Sequence, residues 1–400
     1  MRPISIGILT LALACTAIAV AATHPAATHL AADAPAKAGA AQSWDKAAAA
    51  KYLDSRQAWW QDWPHAQKDH GTVCVSCHTQ VPYALARPAL RGALGEHAVS
   101  DPERAMLDSI VKRVNLGNDA ETFYSDAVHG PGKTKEARNA EAVNNTLILA
   151  VYDADDASKR NNEHRAMSET GTKTGTGMHA ASRKAFAAMW ALQEQAGDKA
   201  GAWYWQNFHF SPWEAPESEY YGAAMAALAT GMAPENYRDD PKIQPNLTLL
   251  RAYLRGHAPD QPLINRVALL WASSKLPGLM TGQEREALAN ELKAKQHADG
   301  GWSLTDLGQG TWKRHDDTPF DMRSDGYATG IIVLALEENG LGKIPEAQKG
   351  LDWILANQNK TDGMWPAWSV NVKRDPSSDV GKFMSDAATG FSVLALEHSR

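Results

Sequence analysis

An all-α fold is what this sequence of 400 residues predicts. Beyond Ser43, apolar residues recur at helical spacing in one segment after another, and no run shows the strict alternation of a half-buried strand. The C-terminal half also repeats itself: a helix, a loop carrying Gly and Trp, and a second helix of small and apolar residues recur in the same order.

At the N-terminus, Met1-Arg2-Pro3 precedes an apolar run from Ile4 to Ala22, in which Ala19 and Ala21 offer a small-residue cleavage site. Residues 1–22 are therefore expected to be a secretory signal peptide. The rival is a membrane anchor, but the run is short for ~30 Å of hydrocarbon and meets no basic flank. Cys15, the residue a lipoprotein would keep, stands in the poorly matching Ala12-Leu13-Ala14-Cys15 and is expected to be discarded. Residues 23–43 are Ala-rich with Pro25, Pro35 and Gly39, the composition of a linker. Residues 44–400 are then one domain.

Within it the pattern predicts about twelve helices, near 45–61, 78–96, 102–115, 138–153, 180–195, 217–231, 244–256, 262–274, 283–297, 323–338, 345–358 and 383–398. Pro88 is expected to kink or break the second. In the last repeat, Lys349-Gly350-Leu351-Asp352-Trp353-Ile354 leads to Gln358, then to Asp362-Gly363-Met364-Trp365 and a helix containing Ala388-Thr389-Gly390-Phe391. The copy before it runs from Gln296 through Gly300-Gly301-Trp302 to Ala328-Thr329-Gly330-Ile331, and a weaker one from Gln193 through Gly201-Ala202-Trp203 to Tyr221-Gly222-Ala223. The second helix of each copy has little polar surface and must be buried nearly all round. An inner ring of six such helices inside an outer ring of six amphipathic ones satisfies that requirement.

These copies resemble the QW repeats of squalene-hopene cyclases and related terpenoid cyclases and prenyltransferases, in which a basic residue, Gly or Ala, an aromatic and an aliphatic precede Gln, Gly and Trp. Lys349 to Trp365 matches every element, Gln296 to Trp302 the second half, and the Gln193 copy loosely. The resemblance implies an (α/α)6 toroid in which the Gln and Trp tie outer helices together. Fourteen Trp against seven Phe suit that reading.

The chemistry lies in Cys74-Val75-Ser76-Cys77-His78. Covalent attachment of haem c adds two thiols to the porphyrin vinyl groups, and the adjacent histidine supplies the proximal iron ligand. Cys74, Cys77 and His78 have that spacing, and an exported chain reaches the compartment where such attachment occurs. A redox-active or structural Cys74–Cys77 disulfide and a zinc site are the rival readings. Residues 79–83 are expected to pack against the porphyrin. A small separate cytochrome domain would bring its own methionine, and only Met106 stands at a suitable distance, so the haem is expected within the toroid.

His78 opens the second helix, which sets the haem at the end of the ring served by the loops 116–137, 196–216, 298–322 and 359–382. Sixth-ligand candidates there are His129, His209, His315, Met322, Met364 and Met384, with His65 and His70 in the preceding loop; an open or water-ligated iron is the alternative. His209 is preferred because it stands in the aromatic run Trp203 to Phe210.

Asp153-Ala154-Asp155-Asp156 spells the acidic pattern with which class II cyclases protonate an alkene, but it runs into the polar 157–163 and is expected to be a solvated exit. Glu219, Asp325 and Asp386 each open an inner helix. They are expected to cap it, the sharper alternative being that they ring the cavity mouth. Ser211 to Pro216 is expected to lie over that mouth.

With a formal charge of -6 there is no electrostatic reason to expect nucleic acid or an anionic membrane as partner. The expectation is a periplasmic or secreted monohaem c-type cytochrome acting in electron transfer or haem-dependent oxidation. Its partners would be another redox protein and an apolar isoprenoid-like molecule, with no integral membrane span after signal cleavage. A non-catalytic haem sensor and a cyclase-like enzyme are the alternatives.

Overall fold

The computed structural model describes residues 43–166, 177–308 and 310–399. The expected signal peptide, Cys15 and the expected linker, Ser43 apart, lie outside them. The chain from Gln42 to Arg400 forms one compact unit. No helix of the described residues is long and apolar enough to cross a membrane.

The fold is all-α. Among the described residues the helices are α1 (Lys46–Asp62), α2 (Gln80–Leu94), α3 (Asp101–Leu116), α4 (Asp126–His129), α5 (Lys133–Ala166), α6 (Ala180–Ala191), α7 (Ser218–Met232), α8 (Gln244–His257), α9 (Leu263–Lys275), α10 (Gly282–Lys295), α11 (Leu304–Leu307), α12 (Gly326–Glu338), α13 (Pro345–Ala356) and α14 (Phe383–His398). One antiparallel hairpin, β1 (Gln67–Lys68) with β2 (Thr72–Val73), stands between α1 and α2. Helix α2 runs unbroken through Pro88. The hairpin and the short α4 and α11 were not expected, since elements of so few residues show no period.

The long helices form two sets. Helix α2 packs on α5, α5 on α7, α7 on α9, α9 on α12, α12 on α14, and α14 returns to α2, so the order closes on itself. Of these, α7, α12 and α14 are the most apolar helices, and in α12 every residue from Gly326 to Leu336 is buried; α5 is polar at both ends and buries its middle. The amphipathic helices pack outside, α1 on α2, α6 on α5, α8 on α7 and α13 on both α12 and α14. Burial on all sides forces the first set inward, as the sequence requires.

The repeated Gln, Gly and Trp do one job three times. Nε1 of Trp203, Trp302 and Trp365 donates to the carbonyls of Met189, Leu292 and Ile354, at 2.7, 2.8 and 2.7 Å, meeting acceptors at the end of an outer helix. Nε2 of Gln193, Gln296 and Gln358 donates both to its own loop, at Gly201, Gly300 and Gly363, and to the start of the next outer helix, at Asn246, Glu346 and Asp45. The three loop glycines have positive φ, and a Cβ on any of them would run into the backbone of that next helix.

A buried ion network fixes α1, α2, α3 and α5 to one another. Nε of Arg87 donates to Asp54 at 3.0 Å, and Arg91 pairs with the fully buried Glu103 and, at 2.6 Å, with Asp155. The segment around Asp155 is thus no solvated exit. Asp153 is 2% exposed and accepts from Nδ1 and the backbone N–H of His179, at 2.5 and 3.1 Å. Helix α5 runs on to Ala166, well beyond the expected end at 153, and these partners satisfy the acids at and just past that point.

Candidate functional site

Local structure holds the Cys74–His78 segment at both ends. The tight hairpin turn has positive φ at His70 and Gly71 and delivers the chain to Cys74, whose N–H donates to the Ala66 carbonyl at 3.0 Å. The Cys74 carbonyl accepts from Nε1 of Trp60 at 2.8 Å. Ser76, inside the motif, accepts the N–H groups of Thr79 and Gln80 on its hydroxyl, at 3.3 and 3.0 Å, satisfying donors at the start of α2. His78 therefore sits in the turn just ahead of α2, not within it.

Cys74, Cys77 and His78 line one cavity of about 240 Å³. Its walls are aromatic, from Trp60, Trp63, Phe123, Tyr124, Trp213 and Phe383, joined by Phe210. They come from the end of α1 and the residue after it, from the loops ahead of α4 and α7, and from the first residue of α14. No described residue of the 298–322 loop, expected at the same rim, lines it.

The His78 ring stacks on Phe383 at 3.8 Å between centroids and 26° between planes, with the edge of Trp60 at 5.2 Å. Burial, and then the cations Arg56 and Arg374, push the imidazole down to about 3, so it is neutral at physiological pH, the state in which histidine binds metal. Both cysteines are free thiols. Burial pushes Cys74 far above the ordinary thiol range and Cys77 up to about 12, so neither is a thiolate. Nδ2 of Asn144 reaches the Cys77 sulfur at 3.4 Å.

Opposite the motif the 206–214 loop folds back on itself, the N–H groups of Phe208 and Phe210 donating to the Glu214 carbonyl at 2.8 Å. This presents Trp213 and Glu214 to the cavity, as the expected position of Ser211 to Pro216 requires. Burial raises the Glu214 carboxyl to about 7, against the pull of a hydrogen bond from Tyr124 and of Lys133. Arg374 lines the cavity as well; desolvation lowers its pKa, and no carboxylate among the described residues counters that effect.

Paired free thiols, a neutral imidazole and aromatic walls fit a covalently held porphyrin. A zinc site is less well served: among the described residues no group of three or more His, Cys, Asp and Glu is placed to hold a metal ion.

The remaining candidates divide. Of the proposed sixth ligands, Met384 lines the cavity and is 5% exposed. His209 does not: its backbone has φ 60, its side chain is exposed, and it faces a neighbouring surface pocket with His315, whose Nε2 lies 2.8 Å from the His209 carbonyl. His65, His70, His129, Met322 and Met364 are also absent from the lining, and Met106 is fully buried in α3. Residues 79–83 turn away as well, Thr79 toward Asp386 and the Tyr83 hydroxyl to Asp54 at 2.8 Å.

The acids at the inner helices are each engaged within the fold. Asp325 caps α12, accepting from Tyr327 and Ala328 N–H at 3.0 and 2.9 Å; Glu219 pairs with Lys199; Asp386 is fully buried on Arg56. None lines the cavity. No family model matches the chain, and a search of curated proteins found no match.

Proposed function

We propose that the chain is an exported monohaem c-type cytochrome, with haem c held by Cys74 and Cys77, His78 as proximal ligand, and the site at one end of an (α/α)6 toroid akin to those of terpenoid cyclases. The observation that carries this reading is that both free thiols and the neutral His78 face the same aromatic cavity. When bound, the haem iron supplies one-electron exchange. The chain's own part is to exclude water with Trp60, Trp63, Trp213 and Phe383, and to offer Arg374 as countercharge for a propionate. The ligand-type group that the cavity offers in place of His209 is the Met384 thioether.

Electron transfer to another redox protein is the better-supported half. Inward from the cavity, Trp213, Tyr327, Phe391 and Trp271 follow one another in ring contact at 5.3, 5.3 and 5.7 Å. These rings come from α9, α12, α14 and the loop ahead of α7, and an isoprenoid-like molecule would be oxidised in the cavity beside the motif. A cyclase fares worse, because Asp155, which would have to donate a proton, is paired with Arg91 and Lys159. The leader implies the periplasm or secretion.

The test is optical. Chain purified from the periplasm of a cytochrome-maturing host should give a pyridine haemochrome of one haem per chain that resists acid–acetone extraction, and should cycle with a soluble redox partner. Colourless protein refutes the haem; haem that binds CO yet exchanges no electrons with a partner favours a sensor.

A further inference from the structure

Nδ1 of His78 lies 2.9 Å from Oγ1 of Thr79, and that hydroxyl donates to Oδ2 of Asp386 at 2.7 Å. A threonine hydroxyl owns a single proton. With that proton directed at Asp386, Oγ1 is left only to accept, so Nδ1 carries the imidazole proton and Nε2 keeps its lone pair. Burial raises the Asp386 pKa, and the donors around the carboxylate oppose it: Nε of Arg56 donates to Oδ1 at 2.8 Å beside the Tyr52 hydroxyl, also at 2.8 Å. Arg56 is in turn fixed by Asp379, at 2.9 Å to its side chain and 2.8 Å to its carbonyl. The chain of contacts thus joins α1, the turn ahead of α2, and α14.

We infer that Thr79 and Asp386 are positioning residues for His78. They set the tautomer with a free Nε2 before any ligand arrives, and they place an anion behind the imidazole, one hydroxyl away. This rests on reading His78 as an iron ligand. Partners of this kind orient a ligating histidine and raise its basicity, which favours the oxidised iron and lowers the potential.

Thr79→Val keeps the shape and deletes the hydroxyl, while Thr79→Ser keeps the hydroxyl. In haem-free protein labelled with nitrogen-15 histidine, NMR should show His78 protonated at Nδ1 in wild type and Thr79→Ser, and a loss of that preference in Thr79→Val. In haem-loaded protein the midpoint potential of Thr79→Val should rise by about tenfold in the one-electron equilibrium, about 59 mV, with Thr79→Ser at the wild-type value. A wild-type His78 protonated at Nε2, or a haem-loaded Thr79→Val at the wild-type potential, overturns the inference. Failure of wild type to attach haem would instead refute the haem reading, and the tautomer measurement would still decide this one.

Discussion

The carboxamide of Gln358 accepts from the backbone N–H of Asp45 at 2.7 Å and donates back to the Asp45 carbonyl at 2.8 Å, across 313 residues of sequence. It joins the loop after α13 to the N-cap of α1, and so fastens the last outer helix to the first. Replacing Gln358 with Ala also removes its bond to the Gly363 carbonyl at 2.9 Å and strands partners in a site where the side chain is 4% exposed. The expected cost is about 2–3 kcal/mol, read as a lower urea midpoint at unchanged slope.

Gly363 and Gly340 share a left-handed backbone, with φ 80 and 76, but a Cβ on Gly363 would overlap Ala48 whereas Gly340 has open space around it. Gly340→Ala should therefore cost only the conformational penalty, about 1 kcal/mol. Gly363→Ala adds overpacking and should cost about 3 kcal/mol. Equal losses in chemical denaturation would contradict this account of the repeat.

The Glu214 carboxyl, raised by burial to about 7, makes stability depend on pH. The unfolded carboxyl ionises near ~4.3, so above that value the folded chain holds a proton that the unfolded chain has released. Stability contributed by Glu214 falls as pH rises through this window and is constant above about 7. The stability of wild type relative to Glu214→Gln should drop on the order of 3–4 kcal/mol across it. Denaturation series at several pH values read the difference, and a flat difference contradicts the assignment.

Much of the fold could be read from sequence because helices that are buried all round, or along one stripe, print that burial as a period. The predicted end of α5 was wrong for a local reason: Asp153 and Asp155 look like a polar exit, yet distant His179 and Arg91 satisfy them. The Cys74–His78 motif is visible because its chemistry is set by spacing along the chain. The cavity around it is not, since Trp213, Arg374 and Phe383 meet only when the helix order closes on itself. His209 shows the converse, since it does not line this cavity. Its aromatic neighbours in sequence are there, but the left-handed turn at His209 points the ring elsewhere.

The most direct test of the central claim is the intact mass of the denatured, mature chain from a cytochrome-maturing host, beside a Cys74→Ala/Cys77→Ala variant. The account predicts that wild type carries the added mass of one haem and that the variant carries none. Wild type at the bare polypeptide mass, with Cys74 joined to Cys77 in a disulfide, would contradict it.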